Sequence, residues 1–248
     1  MPSGARRLPL RMLSPSFRRA LLAVCLLPGT LAAAPAITSA HYDGQTTRYA
    51  HGVLGDSVEH TTLVMRLSDG GQRRVTLPER LVFEDTSPRL VDLDADGRPE
   101  VLVVESDQSQ GARLAVYDAD GRITATPFIG TRFRWLAPVG AADLDGDGQI
   151  EIAYIDRPHL AKTLRIWRYR ARDLVHLADS PGWTNHRIGE PDIAGGIRTC
   201  AGSPEMILAT ANWTGLAALR FRNGEIESIR LGSDTSRPAF ARALSCDP

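Results

Sequence analysis

The sequence predicts an all-β protein, built as a propeller-like array of about four blades with four antiparallel strands each. Three features predict it: short β-branched apolar runs, recurring Asp-Gly and Asn-Gly hairpin signals, and a repeat of about 51 residues. A repeat of this length fits four short strands, which is typical of a propeller blade. One blade cannot bury both of its faces, so neighbouring blades have to stack. The predicted blades are residues 42–87, 88–138, 139–189 and 190–240.

The register of the repeats comes from one strand that recurs in every unit. Residues 63–70, 114–121, 164–170 and 216–224 align over their apolar positions. Three of these segments end in a pair that favours a tight hairpin: Asp69-Gly70, Asp120-Gly121 and Asn223-Gly224. Each unit is therefore expected to run as strand, loop, strand, connection, strand, turn and strand.

Two acidic loops stand out within the repeats. Residues 92–100 have the sequence DLDADGRPE, and residues 143–151 repeat it as DLDGDGQIE. Alternate acidic residues place several oxygens on one side of a tight loop, and glycine at position six allows a positive φ that a Cβ resists. Because Ca²⁺ prefers about 6–8 oxygen ligands at roughly 2.3–2.6 Å, the loops predict two calcium sites. An acidic β-turn without metal is the simpler alternative.

The loops differ from EF-hands, although both begin D-x-D-x-D-G. An EF-hand needs a bidentate glutamate at position twelve and a helix on each side. Position twelve is Val103 in the first loop and Tyr154 in the second, and both lie in short apolar runs that predict buried strands. The acid that closes each loop is therefore expected at position nine, as Glu100 and Glu151.

The first and fourth units lack this loop chemistry. In the fourth unit, the positions that precede Glu205 hold Ile197, Thr199 and Ala201, so the aspartates are missing. We therefore expect two cation sites rather than four.

Residues 1–36 have the pattern of a signal peptide. Five arginines precede an apolar run at residues 20–27 and small residues at 29–36. That run is too short to span a bilayer as a helix, and no transmembrane span is predicted in the mature chain. The protein is therefore expected to be exported, either periplasmic or secreted, by the general or the twin-arginine route.

The chain without this leader is acidic. Removing five of the 29 basic residues leaves 24 against 29 acidic ones, a net charge of about −5. It has no basic stripe with interleaved aromatic residues, so nucleic acid is not an expected partner.

Two cysteines remain in the mature chain, Cys200 and Cys246. An even pair in an exported protein is most simply a disulfide, which would tie the C-terminal tail back to the last repeat. Two free thiols are the alternative.

With the strands that follow them, DLDADGRPEVLVV and DLDGDGQIEIAYI resemble the FG-GAP/VCBS repeats of integrin alpha-chain propellers and bacterial exported proteins. The resemblance covers roughly residues 42–240 and is concentrated at 88–155. It implies a β-propeller domain at 37–248 with calcium bound in the loops. Glutamate stands at position nine, where the family often has aspartate. The implied ligands are Asp92, Asp94, Asp96, Arg98 through its carbonyl and Glu100, then Asp143, Asp145, Asp147, Gln149 through its carbonyl and Glu151.

Family propellers commonly have seven blades, whereas this chain has sequence for about four and a partial fifth from its ends. A small closed ring, an open arc and pairing with another chain therefore all remain open. The family implies a scaffold for contact with a protein or a polysaccharide, usually without catalysis.

Two functions from different classes follow. The first is an exported, non-catalytic, calcium-stabilised binding module. The second is a small periplasmic or secreted hydrolase on the same blades. The six histidines are scattered without the spacing of a zinc helix, and no G-x-S-x-G elbow is present, so the sequence favours the first.

Overall fold

The computed structural model describes residues 1, 4, 34–200 and 202–246, so the predicted signal peptide lies almost wholly outside the described residues. The described part has 17 strands and one short helix, which confirms the all-β prediction. The strands are β1 Ile37–Thr46, β2 Glu59–Leu67, β3 Gln72–Thr76, β4 Leu81–Phe83, β5 Arg89–Val91, β6 Glu100–Asp107, β7 Gly111–Asp118, β8 Gly121–Ala125, β9 Leu136–Ala142, β10 Glu151–Asp156, β11 Thr163–Arg170, β12 Asp173–Pro181, β13 Trp183–Thr184, β14 Gly196–Cys200, β15 Ser203–Thr210, β16 Leu216–Arg222 and β17 Glu225–Gly232; the helix is α1 Arg237–Leu244.

The strands pair antiparallel in three sheets. β9 to β12 form a four-stranded sheet in chain order. β14 to β17 also pair in chain order, and the two-residue β13 adds to β15. β5 to β8 pair in chain order within an eight-stranded sheet that includes β1 to β4. The predicted Gly turns join β2 to β3, β7 to β8 and β16 to β17.

The first unit departs from the prediction of a separate four-stranded blade. It contributes β1, β2 and β3, while the short β4 pairs both with β2, through His60 and Phe83, and with β6. β4 thereby joins the first two units, so the described residues form three sheets where four blades were predicted. A three-residue apolar strand carries too little periodicity to predict its partners from sequence.

The middle strands bury both faces, and alternate residues enter different cores. In β6, Val101 and Val103 pack against the first unit, whereas Leu102 and Val104 pack against the third. β10 repeats this alternation between the second and fourth units. This arrangement explains why the second strands of three units are continuously apolar, because no position in these runs faces water.

The outer face of the last unit is covered by α1. The helix begins after Ser236, whose side chain accepts a backbone N–H of the first turn, and its Phe240 and Ala243 pack on β15 and β16. Just beyond it, Cys246 is bonded to Cys200 of β14, with their Cα atoms 5.9 Å apart. The predicted disulfide is therefore confirmed. Among the described helical residues, none belongs to a helix long and apolar enough to cross a membrane.

Candidate cation sites

Each acidic loop connects the first strand of a unit to the second. The first loop joins β5 to β6, and the second joins β9 to β10. Position two of each loop is an apolar anchor, since Leu93 and Leu144 are buried in the cores beside their sheets. These anchors fix the loops on the sheets.

The loop backbones turn as the glycines predict. Position six has a φ of +80° at Gly97 and +85° at Gly148. Position four also has a positive φ, +60° at Ala95 and +83° at Gly146. Ala95 therefore holds a conformation that a Cβ disfavours, whereas Gly146 adopts it freely.

The first aspartate of each loop organises the turn. Asp92 accepts two backbone N–H groups of its own loop at 3.1 and 3.0 Å. Asp143 accepts two from the second loop at 2.8 and 2.9 Å. These hydrogen bonds hold the backbone of each loop in its turn.

Three carboxylates converge in each loop. One oxygen from each member of a group lies within 4.8 Å of the others, and the groups are Asp92, Asp94 and Asp96, then Asp143, Asp145 and Glu151. Carboxylate oxygens are the ligands that hard cations such as Ca²⁺ prefer, so the donor sets fit the ion that the sequence predicts.

A buried hydroxyl near the first loop has no partner. Tyr169 of β11 lines a crevice of about 200 Å³ together with Asp94 and Gln149, and its Oη makes no hydrogen bond within the described residues. Burial and the negative charges of Glu100 and Asp94 raise the pKa of Tyr169 to about 12. An unsatisfied buried hydroxyl costs about 1–3 kcal/mol. The crevice that it shares with Asp94 has room for a water molecule or a hydrated ion as its partner.

The glutamates at position nine turn inward. Glu100 accepts the N–H of Leu93 at 2.9 Å, and Glu151 accepts that of Leu144 at 2.8 Å. Both side chains are buried, and burial raises the pKa of each. One oxygen of each glutamate therefore closes the loop by accepting a backbone N–H.

An arginine occupies the second loop. Nε of Arg168, on β11, donates to Glu151 at 2.6 Å. Its two terminal nitrogens lie 2.8 Å from Asp145 and 2.9 Å from Asp147. The arginine side chain is only 16% exposed, and its one guanidinium pairs with three of the five predicted ligands of this loop.

The residues at position seven are predicted to act through their carbonyls. Their side chains also pair with the aspartate at position five: Arg98 lies 3.1 Å from Asp96, and Gln149 lies 3.2 Å from Asp147. These contacts do not involve the carbonyl oxygens, so the carbonyl role stays a prediction.

The fourth unit shows protein cations around the equivalent glutamate. Glu205 is held by Arg198 and Arg220 at 2.6 Å each. Arg168 lies opposite Glu151 in the register of β10 and β11. Continuing the register of β15 and β16 by one residue places Arg220 opposite Glu205 in the same way. This carboxylate is therefore neutralised by arginines alone.

A buried histidine–carboxyl contact was missed from the sequence. Nδ1 of His51 lies 2.5 Å from Oε1 of Glu84, and the hydroxyl of Ser106 donates to the other oxygen of Glu84. Burial raises the pKa of Glu84. Nε2 of His51 makes no hydrogen bond to any described residue. His51 and His159 line a small cavity of about 30 Å³.

The protons of the neighbouring histidine pair follow from its contacts. Nε2 of His186 lies 2.9 Å from the carbonyl oxygen of Glu190, which can only accept, so this nitrogen carries the proton. Nδ1 of His186 then accepts from Nε2 of His159 at 3.0 Å. Nδ1 of His159 is consequently unprotonated when the ring is neutral, and its lone pair can accept a proton.

The repeat alignment contains the signal for one of these missed residues. Arg168 and Arg220 stand in the same column of the aligned third strands, where the second unit has Asp118. The histidine contacts carry no comparable signal, because their partners are 27 and 33 positions apart.

Comparison with known proteins identifies one repeat segment. Residues 92–154, about a quarter of the chain, match the family model described as an FG-GAP-like repeat, which confirms the resemblance for the segment that holds both loops. No curated protein matches the chain. A solved structure of rhamnogalacturonan lyase YesW is similar at 15% identity and a TM-score of 0.37, over 72% of this chain and 43% of the lyase chain. The chain thus spans less than half the length of that structure.

Proposed function

We propose that this chain, which contains an FG-GAP-like repeat at residues 92–154, is an exported, calcium-stabilised, propeller-like module that binds a protein or a polysaccharide without catalysis. The observation that carries the proposal is the convergence of Asp92, Asp94 and Asp96 beside the unpartnered hydroxyl of Tyr169. A divalent cation there would remove the repulsion among three carboxylates.

Export is supported by the disulfide as well as by the predicted leader. The bond between Cys200 and Cys246 is of the kind that persists in oxidising compartments. The continuous apolar strands, which serve adjacent cores, support a stacked propeller-like scaffold.

Thermal melts with EDTA and with Ca²⁺ test the calcium role. A ligand that binds only the folded state adds about 2.7 kcal/mol of stability at a hundredfold excess over Kd. We expect the melting temperature to rise with Ca²⁺, and to rise less in Asp94→Ala. Glu227→Ala is the matched control, because Glu227 is an exposed acid outside both loops. Identical melts with EDTA and Ca²⁺ for the parent protein would contradict a calcium role.

The binding role needs a separate measurement. The mature protein, immobilised in Ca²⁺ or in EDTA, is exposed to a polysaccharide array and to extracts of its native source. We expect retention of one class of partner in Ca²⁺ and weaker retention in EDTA. Equal retention in both buffers would mean that partner binding does not depend on calcium in the loops.

A second candidate, a small exported hydrolase on the same scaffold, is favoured by one observation. His51 is held through one nitrogen by buried Glu84, as general bases often are, while its other nitrogen is left free beside a cavity. Nδ1 of His159 supplies a second proton acceptor at that cavity.

An assay for new reducing ends on the same polysaccharides tests this candidate. A hydrolase that uses His51 would lose turnover in His51→Gln and keep it in His176→Gln, which changes an exposed histidine beside another crevice. Equal turnover in both variants would exclude His51 as the base. No turnover by the parent on any polysaccharide would favour the binding module.

A further inference from the structure

The two acidic loops face different chemistry on the same strand. In β11, Arg168 lies among the carboxylates of the second loop, whereas the next residue, Tyr169, lines the crevice at the first. Successive residues of a strand point to opposite faces of its sheet, so one strand serves both loops. The second loop therefore receives a largely buried guanidinium from β11, whereas β11 brings only a hydroxyl to the first, whose one ion pair among the described residues is that of Asp96 with its own half-exposed Arg98.

The arginine and a calcium ion would compete for the same carboxylates. Asp145 and Glu151 belong to the convergent carboxylates of the second loop, and both are also bonded to Arg168. Arginine stays protonated at any physiological pH, so its charge cannot be removed when the ion arrives. Calcium binding at this loop would require the guanidinium to leave the carboxylates.

The three aligned units form a graded series. The second unit has aspartates and, at the position opposite Glu100 in the continued register, Asp118. The third unit has the loop aspartates together with Arg168. The fourth has no aspartates at the loop positions, and Arg198 and Arg220 hold its glutamate. The third unit thus combines the acidic loop of the second unit with the strand arginine of the fourth.

We propose that Arg168 is a built-in competitor of calcium at the second loop, so that the first loop fills first and the second only at higher calcium. This inference rests on the proposed calcium role. It makes the two loops unequal despite their nearly identical sequences, and Arg168 the residue that sets the difference.

Calorimetric titration of the full mature chain with CaCl₂, after removal of metal by chelator, tests the proposal. We expect the parent protein to show two classes of site, the second at least tenfold weaker. Asp94→Ala should remove the tight class, and Asp145→Ala the weak one. Arg168→Gln, which loses the charge but keeps a donor, should tighten the weak class about tenfold or more.

Two controls isolate the charge at this position. Arg168→Lys keeps the charge, so its weak class should stay weak; it also supplies a result if Arg168→Gln does not fold. Arg220→Gln removes the equivalent arginine of the fourth unit, whose loop positions hold no aspartates, and both calcium classes should stay unchanged.

Melts give a second readout. In EDTA, Arg168→Gln should melt below the parent, because three carboxylates lose their cation. Saturating Ca²⁺ should raise the melting temperature of Arg168→Gln by more than it raises that of the parent. Arg220→Gln should also melt lower in EDTA but gain nothing extra from Ca²⁺, because its loop lacks aspartates.

Failure of the inference differs from failure of the calcium role. Two equal classes in the parent that Arg168→Gln leaves unchanged would overturn the competitor role while supporting calcium binding. Absence of calcium binding in both the parent and Arg168→Gln would overturn the calcium role, and the inference with it.

Discussion

Arg168 and Tyr169 are neighbours on β11, but they serve different loops: the first is bonded to three acids of the second loop, and the second leaves its hydroxyl unpartnered beside the first. One strand thus places a guanidinium against one acidic loop and a hydroxyl beside the other.

Tyr169→Phe removes the unpartnered hydroxyl. In EDTA we expect the variant to be more stable than the parent by about 1 kcal/mol, because a buried oxygen without a hydrogen bond is destabilising. In saturating Ca²⁺ the gain should vanish or reverse, since the hydroxyl then has the ion's hydration shell as a partner. Urea unfolding in both buffers measures the difference. A gain that is identical in EDTA and Ca²⁺ would show that the hydroxyl is unrelated to the ion.

Ala95 and Gly146 offer a matched exchange at position four of the loops. Ala95→Gly should relieve a strained positive φ, and Gly146→Ala should create the same strain where no atom lies near the added Cβ. We expect Ala95→Gly to stabilise by up to ~1 kcal/mol, because glycine's extra freedom in the unfolded chain offsets part of the relief. Gly146→Ala should destabilise by a similar amount, up to ~1 kcal/mol, because the lower entropy of alanine in the unfolded chain offsets part of the strain. Equal unfolding free energies for parent and variants would contradict the backbone argument.

Cys246→Ser removes the disulfide that holds the end of α1. The two cysteines are 46 positions apart, and closing a loop of this length contributes about 4 kcal/mol in the chain-entropy model. We expect a lower melting temperature, and no further change when reductant is added. The parent should fall to a similar value in reductant. A parent melt that ignores reductant would mean that the bond adds no stability.

His159 predicts a loss of stability in acid. Burial, with the neighbouring His186, lowers the pKa of His159 to about 4, whereas an unfolded histidine titrates near 6.5. Between these values the unfolded chain binds more protons, so stability falls as the pH falls from about 6.5 to 4. His159→Gln should flatten the melting temperature across this window relative to the parent. Parallel pH profiles for the two proteins would contradict the assignment.

The acidic loops were predictable because their chemistry is local. Alternating aspartates, a glycine that needs positive φ and a following apolar strand lie within about a dozen residues, and the structure has all three in both loops. The pairing of Cys200 with Cys246 followed from their number rather than from their distance in the chain.

Other features needed the register of strands that are distant in sequence. Whether Arg168 reaches Glu151 depends on the alignment of β10 and β11, which the apolar pattern alone does not specify. β4 joins two units through three residues, too few to show a period. The contact of His51 with Glu84 depends on where a loop packs, and no local pattern encodes it.

The helix at the end of the repeats has a consequence for self-association. A stacked array presents an apolar face at its last unit, and a second molecule could dock there head to tail, giving a contact that never closes. Phe240 and Ala243 cover that face, and the bond from Cys246 to Cys200 ties the end of the helix to β14. α1 therefore buries apolar surface of the last unit that the strands alone would leave open to a second molecule.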